Sequence, residues 1–252
     1  MSPDPLDVFW PAAEVEAAAL TIDEMASWPT GVFEALTKVG LLREGRTASR
    51  VTCDACGESH VQEVTPVRYR DGTVRFFIRC PEHGRVEVDR SDLLQWSVDF
   101  KSIVQFLAAE LATEGDVQER VPRRVWQIGR AALAGRSRPV WMGRGLSWPN
   151  ASTLSGFLPA GKSPVLLVLG GAPRAGVLSL PPDSVVSLGQ VLTLSGGEFD
   201  LDRRAIEDQL SASRGEGKQK SPVKRASRAA AIDVLESDLP PGVGPLPITD
   251  LC

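Results

Sequence analysis

The sequence is poor in long apolar runs, and this shortage excludes an integral membrane protein. Its longest uninterrupted apolar run, residues 165–169, is far too short for a membrane-spanning helix, which needs about 20 apolar residues. The opening residues MSPDPLDVFW carry neither the basic segment nor the apolar core of a secretory signal. We therefore expect a cytoplasmic protein with no membrane partner.

Residues suited to catalysis are also scarce. The chain has 2 histidines, and it lacks the G-x-S-x-G elbow that presents a serine nucleophile. Asp183 and Glu198 resemble part of a restriction-type nuclease core, but Asp200 stands where that core needs a lysine. We expect Asp200 and Asp202 to cap a helix instead. These shortages favour a protein without enzymatic activity.

Composition points to a bacterial cytosolic protein. Lysine (6) is far outnumbered by arginine (22), and alanine, glycine and proline are plentiful, a bias typical of GC-rich bacterial genomes. The net charge of −4 excludes a uniformly basic chain but leaves room for local basic patches. Two of the 4 cysteines form a C-x-x-C pair, which in a reducing cytosol indicates metal binding rather than a disulfide. Cys252 is predicted to be an uninvolved thiol.

Helix and strand signals predict an α+β protein assembled from small parts. Thr21 and Glu24 form a capping box, and residues 100–112 have apolar side chains at helical spacing. Strands that are apolar on both faces alternate with helices later in the chain, which predicts a short parallel sheet. The predicted parts are N-terminal helices (1–45), a β-hairpin module (46–95), a connecting helix (96–118), a small α/β domain (119–210), a basic linker (211–228), and a short helix with a disordered tail (229–252).

Residues 156–163, GFLPAGKS, match the G-x-x-x-x-G-K-[ST] pattern of a phosphate-binding loop. Such a loop needs a strand before it and a helix after it, because the helix N-terminus then points free N–H groups at the phosphates. Here a helix predicted from Asn150 to about Leu158 comes first, and the strand 165–169 follows. We therefore predict a plain turn in which Gly161 takes a positive φ, and no phosphate at Lys162.

Two pairs of metal-ligating residue types recur with matching spacing. Cys53-x-x-Cys56 and Cys80-x-x-His83 are separated by 23 residues, and a glycine directly follows each pair. Two ligands three apart on a tight turn span half of a tetrahedron, and glycine suits the conformation after the second ligand. The residues between the pairs predict two alternating strands joined by Asp71-Gly72, the favoured pair for a two-residue type I′ turn.

This order of knuckle, hairpin and knuckle resembles the zinc-ribbon group over about forty residues. The pattern predicts one structural zinc ion, with no open coordination position for catalysis. The predicted ligands are Cys53, Cys56, Cys80 and His83. His60 is a substitute ligand, although its four-residue offset from Cys56 breaks the knuckle pattern. The plain alternative is four ordinary residues of a small domain.

A two-residue turn would fix which side chains of the hairpin share a face. The predicted apolar face, which should join the core, holds Val67, Tyr69, Val74, Phe76 and Ile78. Arginines around a phenylalanine can hold phosphates and stack a base, so the other face is a candidate for nucleic-acid binding. Its candidate contacts are Arg68, Arg70, Arg75, Phe77 and Arg79, with Thr73 beside them. The alternative is a solvated face whose arginines pair with local acids such as Glu63, Glu82 and Glu87.

Two further stretches are basic. Residues 119–145 hold seven arginines and one acid, and residues 214–228 form a basic linker. This asymmetry favours an anionic partner, and nucleic acid is expected at the basic hairpin face and the linker, with a protein partner as the alternative. Trp126 and Trp141 within the first stretch are expected to anchor the core.

The layout as a whole resembles an uncharacterised bacterial type in which a zinc ribbon and a middle domain precede a helix-turn-helix. This chain departs from that layout at Leu239-Pro240-Pro241 and stops a dozen residues later, which implies a member truncated before its DNA reader. We therefore expect a non-enzymatic zinc-binding protein with a regulatory or nucleic-acid-associated role. An enzyme, nucleotide hydrolase or nuclease, with its site in 119–210 is the alternative.

Overall fold

A computed structural model describes residues 4–16, 19–161, 164–170, 173–174 and 176–216. All of them belong to one compact unit. The predicted short helix and tail, and the basic linker beyond residue 216, lie outside the described residues, as does Cys252. The domain boundaries proposed from the sequence stay a prediction.

Helices begin where the sequence offers a capping side chain. The predicted capping box of Thr21 and Glu24 is confirmed, and Asp99 accepts hydrogen bonds from two backbone N–H groups at the start of the predicted 100–112 helix. The expected helix after Asn150 is only a short 3-10 helix, Ala151–Leu154. The α-helices are α1 (Pro5–Ala13), α2 (Ile22–Ala26), α3 (Val32–Lys38), α4 (Phe100–Glu110), α5 (Leu188–Val191) and α6 (Arg203–Glu216).

Fifteen strands, most of them in long runs without an intervening α-helix, accompany these helices in the described residues, so the structure is mixed α+β. The strands of its first half are β1 (Ala19–Thr21), β2 (Leu42–Glu44), β3 (Arg50–Thr52), β4 (Val61–Glu63), β5 (Thr65–Arg68), β6 (Val74–Cys80), β7 (Gly84–Val88) and β8 (Gln95–Val98). Those of the second half are β9 (Gln118–Val121), β10 (Val125–Leu133), β11 (Arg136–Gly143), β12 (Val165–Val168), β13 (Val185–Ser187), β14 (Leu192–Ser195) and β15 (Glu198–Leu201).

The largest sheet has the order β13-β12-β11-β10-β9. The short parallel sheet predicted from the sequence corresponds to β11, β12 and β13, and the antiparallel strands β9 and β10 extend it into a mixed sheet. Strands β11, β12 and β13 are parallel to one another, but β10 pairs antiparallel with both β11 and β9. The cause is a two-residue turn, Ala134-Gly135, in which both residues have positive φ (49° and 71°). A turn of this length can only join antiparallel neighbours.

Both faces of this sheet are covered. Val165 and Leu167 of β12 pack into a main core shared with α1, α3, α4, α5 and α6, whereas Leu166 and Val168 pack into a second cluster under the 3-10 helix. The period-2 alternation of side chains makes a strand covered on both sides apolar throughout, as the run 165–169 is. Trp126 is buried in the main core, and Trp141 packs at the second cluster.

Residues 50–88 form a separate layer, which we call the small module; the other described residues form the main body. The small module contains a two-stranded sheet, β3-β4, and a three-stranded antiparallel sheet, β5-β6-β7. Its own hydrophobic cluster has three buried members, Cys53, Ile78 and Cys80. Two of these three are the thiols of the predicted metal site.

Candidate metal centre

The first knuckle is the loop that closes the β3-β4 hairpin. Thr52 pairs with Val61, and the ladder continues one step further because the Cys53 N–H donates to the carbonyl oxygen of His60 at 2.9 Å. This pairing brings His60 to the base of the loop that carries Cys56. Gly57 has a φ of +73°, the left-handed conformation that the sequence predicted for the residue after the second ligand.

The second knuckle joins β6 to β7. Cys80 is the last residue of β6 and pairs with Gly84, whose φ of +72° again matches the expectation from sequence. The backbone N–H of His83 donates to Cys80 Sγ at 3.4 Å. Backbone N–H groups aimed at a sulfur stabilise its thiolate form, which is the form that binds metal.

The two knuckles bring four potential ligands together. Ligand atoms of Cys53, Cys56, His60 and Cys80 all lie within 4.8 Å of one another. Cys56 Sγ is 3.8 Å from Cys53 Sγ and 3.4 Å from His60 Nδ1. Tetrahedral zinc with its usual bond lengths separates two sulfurs by about 3.8 Å, and a sulfur from a nitrogen by about 3.5 Å. These two distances therefore match those around a tetrahedral zinc ion, and the four ligand atoms lie close enough together to surround one metal ion.

The histidine in this cluster is His60, the substitute of the sequence-based prediction, and not His83. His83 contributes its backbone N–H to Cys80, but its side chain is exposed and is not part of the group of four. The spacing C-x-x-H pointed to His83 because it repeats the first knuckle. The strand ladder that places His60 beside Cys56 depends on the pairing of β3 with β4, which spacing alone does not show.

The cysteines differ in acidity. The backbone N–H of Glu58 lowers the pKa of Cys56, but burial and hydrogen bonds with the other two thiols outweigh it and raise the pKa to about 11. Burial raises the pKa of Cys80, but the N–H groups of His83 and Glu82 outweigh it, so the net pKa is lowered. A metal that needs thiolates would therefore displace a proton from Cys56 at neutral pH.

The hairpin of the small module differs from the prediction in register. Arg68 pairs with Val74, and the Tyr69 N–H donates to the carbonyl oxygen of Thr73 at 2.8 Å, so the loop has three residues, 70–72, instead of two. In the same register, Val67 pairs with Arg75. Gly72 takes the left-handed conformation at the end of this loop (φ +87°), and the Asp71 carboxylate accepts from the Thr73 N–H at 2.9 Å. A shift of one residue moves every side chain of one strand to the opposite face.

The predicted faces are therefore correct for β6 and wrong for β5. Arg75, Phe77 and Arg79 share one face of β6, as expected, but Val67 joins them and Arg68 lies on the opposite, apolar face. Strand β7 adds Arg85 and Glu87 to the first face, across from Arg79 and Phe77. We call this set the arginine face, and its members are Thr65, Val67, Arg75, Phe77, Arg79, Arg85 and Glu87. Arg70 lies in the loop.

One arginine of this face pairs with a nearby acid, as the alternative to nucleic-acid binding predicted. Arg75 lies 3.6 Å from the Glu87 carboxylate, one of the acids that the sequence suggested as a partner. The Arg85 guanidinium lies over the Phe77 ring at 3.6 Å from its centre, and Arg75 lies over Tyr69 at 5.2 Å. Sequence reasoning missed Arg85, although the alternation of β7 after the second knuckle is the signal that places it.

The arginines of 119–145 do not form one basic surface. Arg138 and Arg144 are buried, and Arg144 donates to the carbonyl oxygens of Ala13, the last residue of α1, and of Val15, just beyond it. Its guanidinium also lies 4.8 Å from the centres of the Phe100 and Trp148 rings. Burial lowers the pKa of Arg144 to about 10. Arg144 therefore joins the end of α1 to the loop after β11, and Arg138 donates within its own hairpin to the carbonyl oxygen of Leu133.

Glu14 completes this buried network. One of its carboxylate oxygens accepts from the Gly145 N–H at 2.9 Å, and the other, buried, has no hydrogen-bond partner among the described residues. Burial raises the pKa of Glu14 above its ordinary value, against the opposing effects of the Gly145 N–H and the Arg144 charge. The network joins the end of α1 to the loop after β11.

The stretch around GFLPAGKS has the element order that the sequence suggested. The 3-10 helix Ala151–Leu154 precedes it, strand β12 follows it from Val165, and Gly161 has a φ of +106°. Lys162 and Ser163 lie outside the described residues. A strand directly after the motif supplies no helix N-terminus for phosphate.

Comparisons with known proteins give no independent information about the candidate metal centre. No helix in the described ranges is long and apolar enough to cross a bilayer. No protein-family model, no curated protein and no solved structure matches this chain.

Proposed function

We propose that the small module binds one structural zinc ion and that the protein is a non-enzymatic interaction module. The observation that carries the proposal is the group of three thiols and one imidazole within 4.8 Å of one another. Soft thiolates with imidazole in tetrahedral arrangement are the typical zinc ligand set. Four protein ligands leave no open position for substrate, so the ion would hold the fold together and would not catalyse.

The proposed ligands are Cys53, Cys56, His60 and Cys80. Cys53 and Cys80 are each 1% exposed, so the ion would lie against the only buried cluster that the described small module has. In this assignment His83 orients Cys80 through its backbone N–H and needs no particular side chain. The proposed set keeps the three cysteines predicted from spacing and replaces His83 by His60 as the fourth ligand.

A matched pair of histidine variants tests this assignment. Purified protein should contain about one zinc ion per chain. His60→Ala should lower zinc affinity at least tenfold in a chelator competition, whereas His83→Ala should leave it within about twofold, since only a backbone group is used there. Substitution with Co²⁺ should give the absorption spectrum of a tetrahedral thiolate site. Loss of zinc in His83→Ala alone would restore the ligand set predicted from spacing.

We also propose that the arginine face contacts nucleic acid. Arg75, Arg79 and Arg85 are exposed on one face, and its one acid, Glu87, neutralises only Arg75. Phosphate contacts release counterions, so the affinity for a labelled oligonucleotide should fall steeply as salt rises. Fluorescence anisotropy across a salt series measures this. A flat salt response, or no binding at low salt, would leave the small module as a scaffold for a protein partner.

A further inference from the structure

Two arginines stand directly opposite each other on the arginine face. Arg79 of β6 and Arg85 of β7 are cross-strand partners in the antiparallel ladder. Like charges in this position destabilise a sheet. Among the described residues, neither guanidinium lies within ion-pair distance of a carboxylate, since the salt bridges there involve other arginines. Arg85 gains a contact with the Phe77 ring, but that contact leaves the repulsion between the two positive charges uncompensated. An anion that neutralises both arginines would remove this repulsion.

A cavity of about 430 Å³ lies beside this pair. Val67 and Phe77 line it together with the two arginines. The site thus joins an apolar wall to two positive charges. A nucleotide carries the complementary groups, a flat ring for the apolar wall and a phosphate for the two positive charges.

Arg85 is already arranged to stack a ring. Its guanidinium lies 3.6 Å from the centre of the Phe77 ring, close enough for the two planes to be stacked. Arg85 as a whole is exposed, which leaves part of its side chain accessible to a second ring. Unstacked bases bind to arginine planes in this way, whereas bases within a duplex are covered by their neighbours.

We propose that Arg79, Arg85 and Phe77 form a subsite for one nucleotide of a single-stranded nucleic acid. The phosphate binds between the two guanidinium groups, and the unpaired base stacks on the outer side of Arg85. This proposal rests on the proposed binding of nucleic acid and adds its form and its residues. It requires a planar side chain at position 85 and only a positive charge at position 79.

The experiment uses two variants that keep charge. Arg85→Lys removes the planar guanidinium group and keeps the positive charge. The control, Arg68→Lys, makes the same change on the opposite face of the same sheet. Fluorescence anisotropy at low salt measures the binding of a labelled single-stranded oligothymidylate, of its duplex with oligodeoxyadenylate, and of heparin as a polyanion without bases. Zinc content checks that each variant is folded.

The wild-type protein should bind the single strand more tightly than the duplex. Arg85→Lys should weaken binding of the single strand about tenfold, since one stacked base accounts for that order of affinity. The same variant should change heparin binding less than twofold, and Arg68→Lys should change neither.

Equal losses in the two variants, or equal affinity for single strand and duplex, would overturn the subsite and leave nucleic-acid binding intact. Binding of heparin alone would overturn the subsite and the proposed nucleic-acid partner together. Zinc binding would be unaffected by either result, because none of the variants changes a proposed ligand.

Discussion

The main body and the small module differ in how much apolar surface each of them buries. The main body buries a large apolar core that includes Leu36, Leu107 and Met142, all fully enclosed. The small module buries one aliphatic side chain, Ile78, and two thiols. A layer of about forty residues with so small a core is not expected to stay folded without a crosslink or a metal ion. The comparison indicates that burial holds the main body together, whereas the small module needs a further stabilising element such as the proposed metal ion.

Removal of the proposed zinc ion should have the largest effect, because only the small module is expected to need it. Chelation of zinc, or the double substitution Cys53→Ser, Cys80→Ser, should unfold residues 50–88 and leave the main body folded. Structural zinc contributes on the order of 10–16 kcal/mol of apparent binding free energy in small zinc domains. Hydrogen exchange should show loss of amide protection in β3–β7 and unchanged protection in β10–β12. Full protection of β6 in the metal-free double variant would contradict the zinc proposal.

Loss of a buried arginine should lower the stability of the main body and leave the small module unchanged. Arg144→Met leaves the carbonyl oxygens of Ala13 and Val15 without their donor and Glu14 without its nearby charge. We expect the free energy of unfolding to fall by about 3–5 kcal/mol, as when one partner of a buried polar pair is removed. Chemical denaturation measures this.

Arg136→Met is the matched control for that variant, because Arg136 is exposed at the start of β11, the strand that directly precedes Arg144. It should change stability by less than about 0.5 kcal/mol, the usual range for a surface substitution. Zinc content should be equal in both variants. A loss of zinc in Arg144→Met would show that the two regions are not held independently.

A smaller effect should appear in the pH dependence of the main body. The pKa of Glu14 is raised above 4.5, so between 4.5 and the raised value the folded state binds more protons than the unfolded state. Stability that depends on Glu14 therefore falls as pH rises through this window. Glu14→Gln should be less sensitive, so its stability relative to wild type should increase with pH. A constant difference between the two denaturation profiles would show that Glu14 titrates normally.

No effect is expected from Lys162. A strand follows the GFLPAGKS motif, so no helix N-terminus is available to hold a phosphate. Isothermal titration with ATP and Mg²⁺ should give no heat of binding for the wild-type protein or for Lys162→Ala. Micromolar affinity that Lys162→Ala abolishes would revive the enzyme alternative and would place a site in the main body.

Local sequence predicted those features that depend on a few neighbouring residues. The capping box at Thr21, the helix at 100–112 and the left-handed glycines at 57 and 84 are all confirmed. Each of these features depends on residues that are close together in the sequence. The hairpin loop was mispredicted because Asp71-Gly72 suits a two-residue turn and a three-residue loop alike, and local residues do not decide between them.

The sequence by itself determined the residue types of the metal centre, the turns that carry them and the alternation of the strands. Tertiary structure decided which histidine joins the cysteines, because pairing of β3 with β4 places His60 beside Cys56. It also decided that Arg68 leaves the arginine face and that Arg85 joins it. The reason is that strand register is a property of two strands together. A shift of one residue costs little in local geometry and reverses every side chain of a strand.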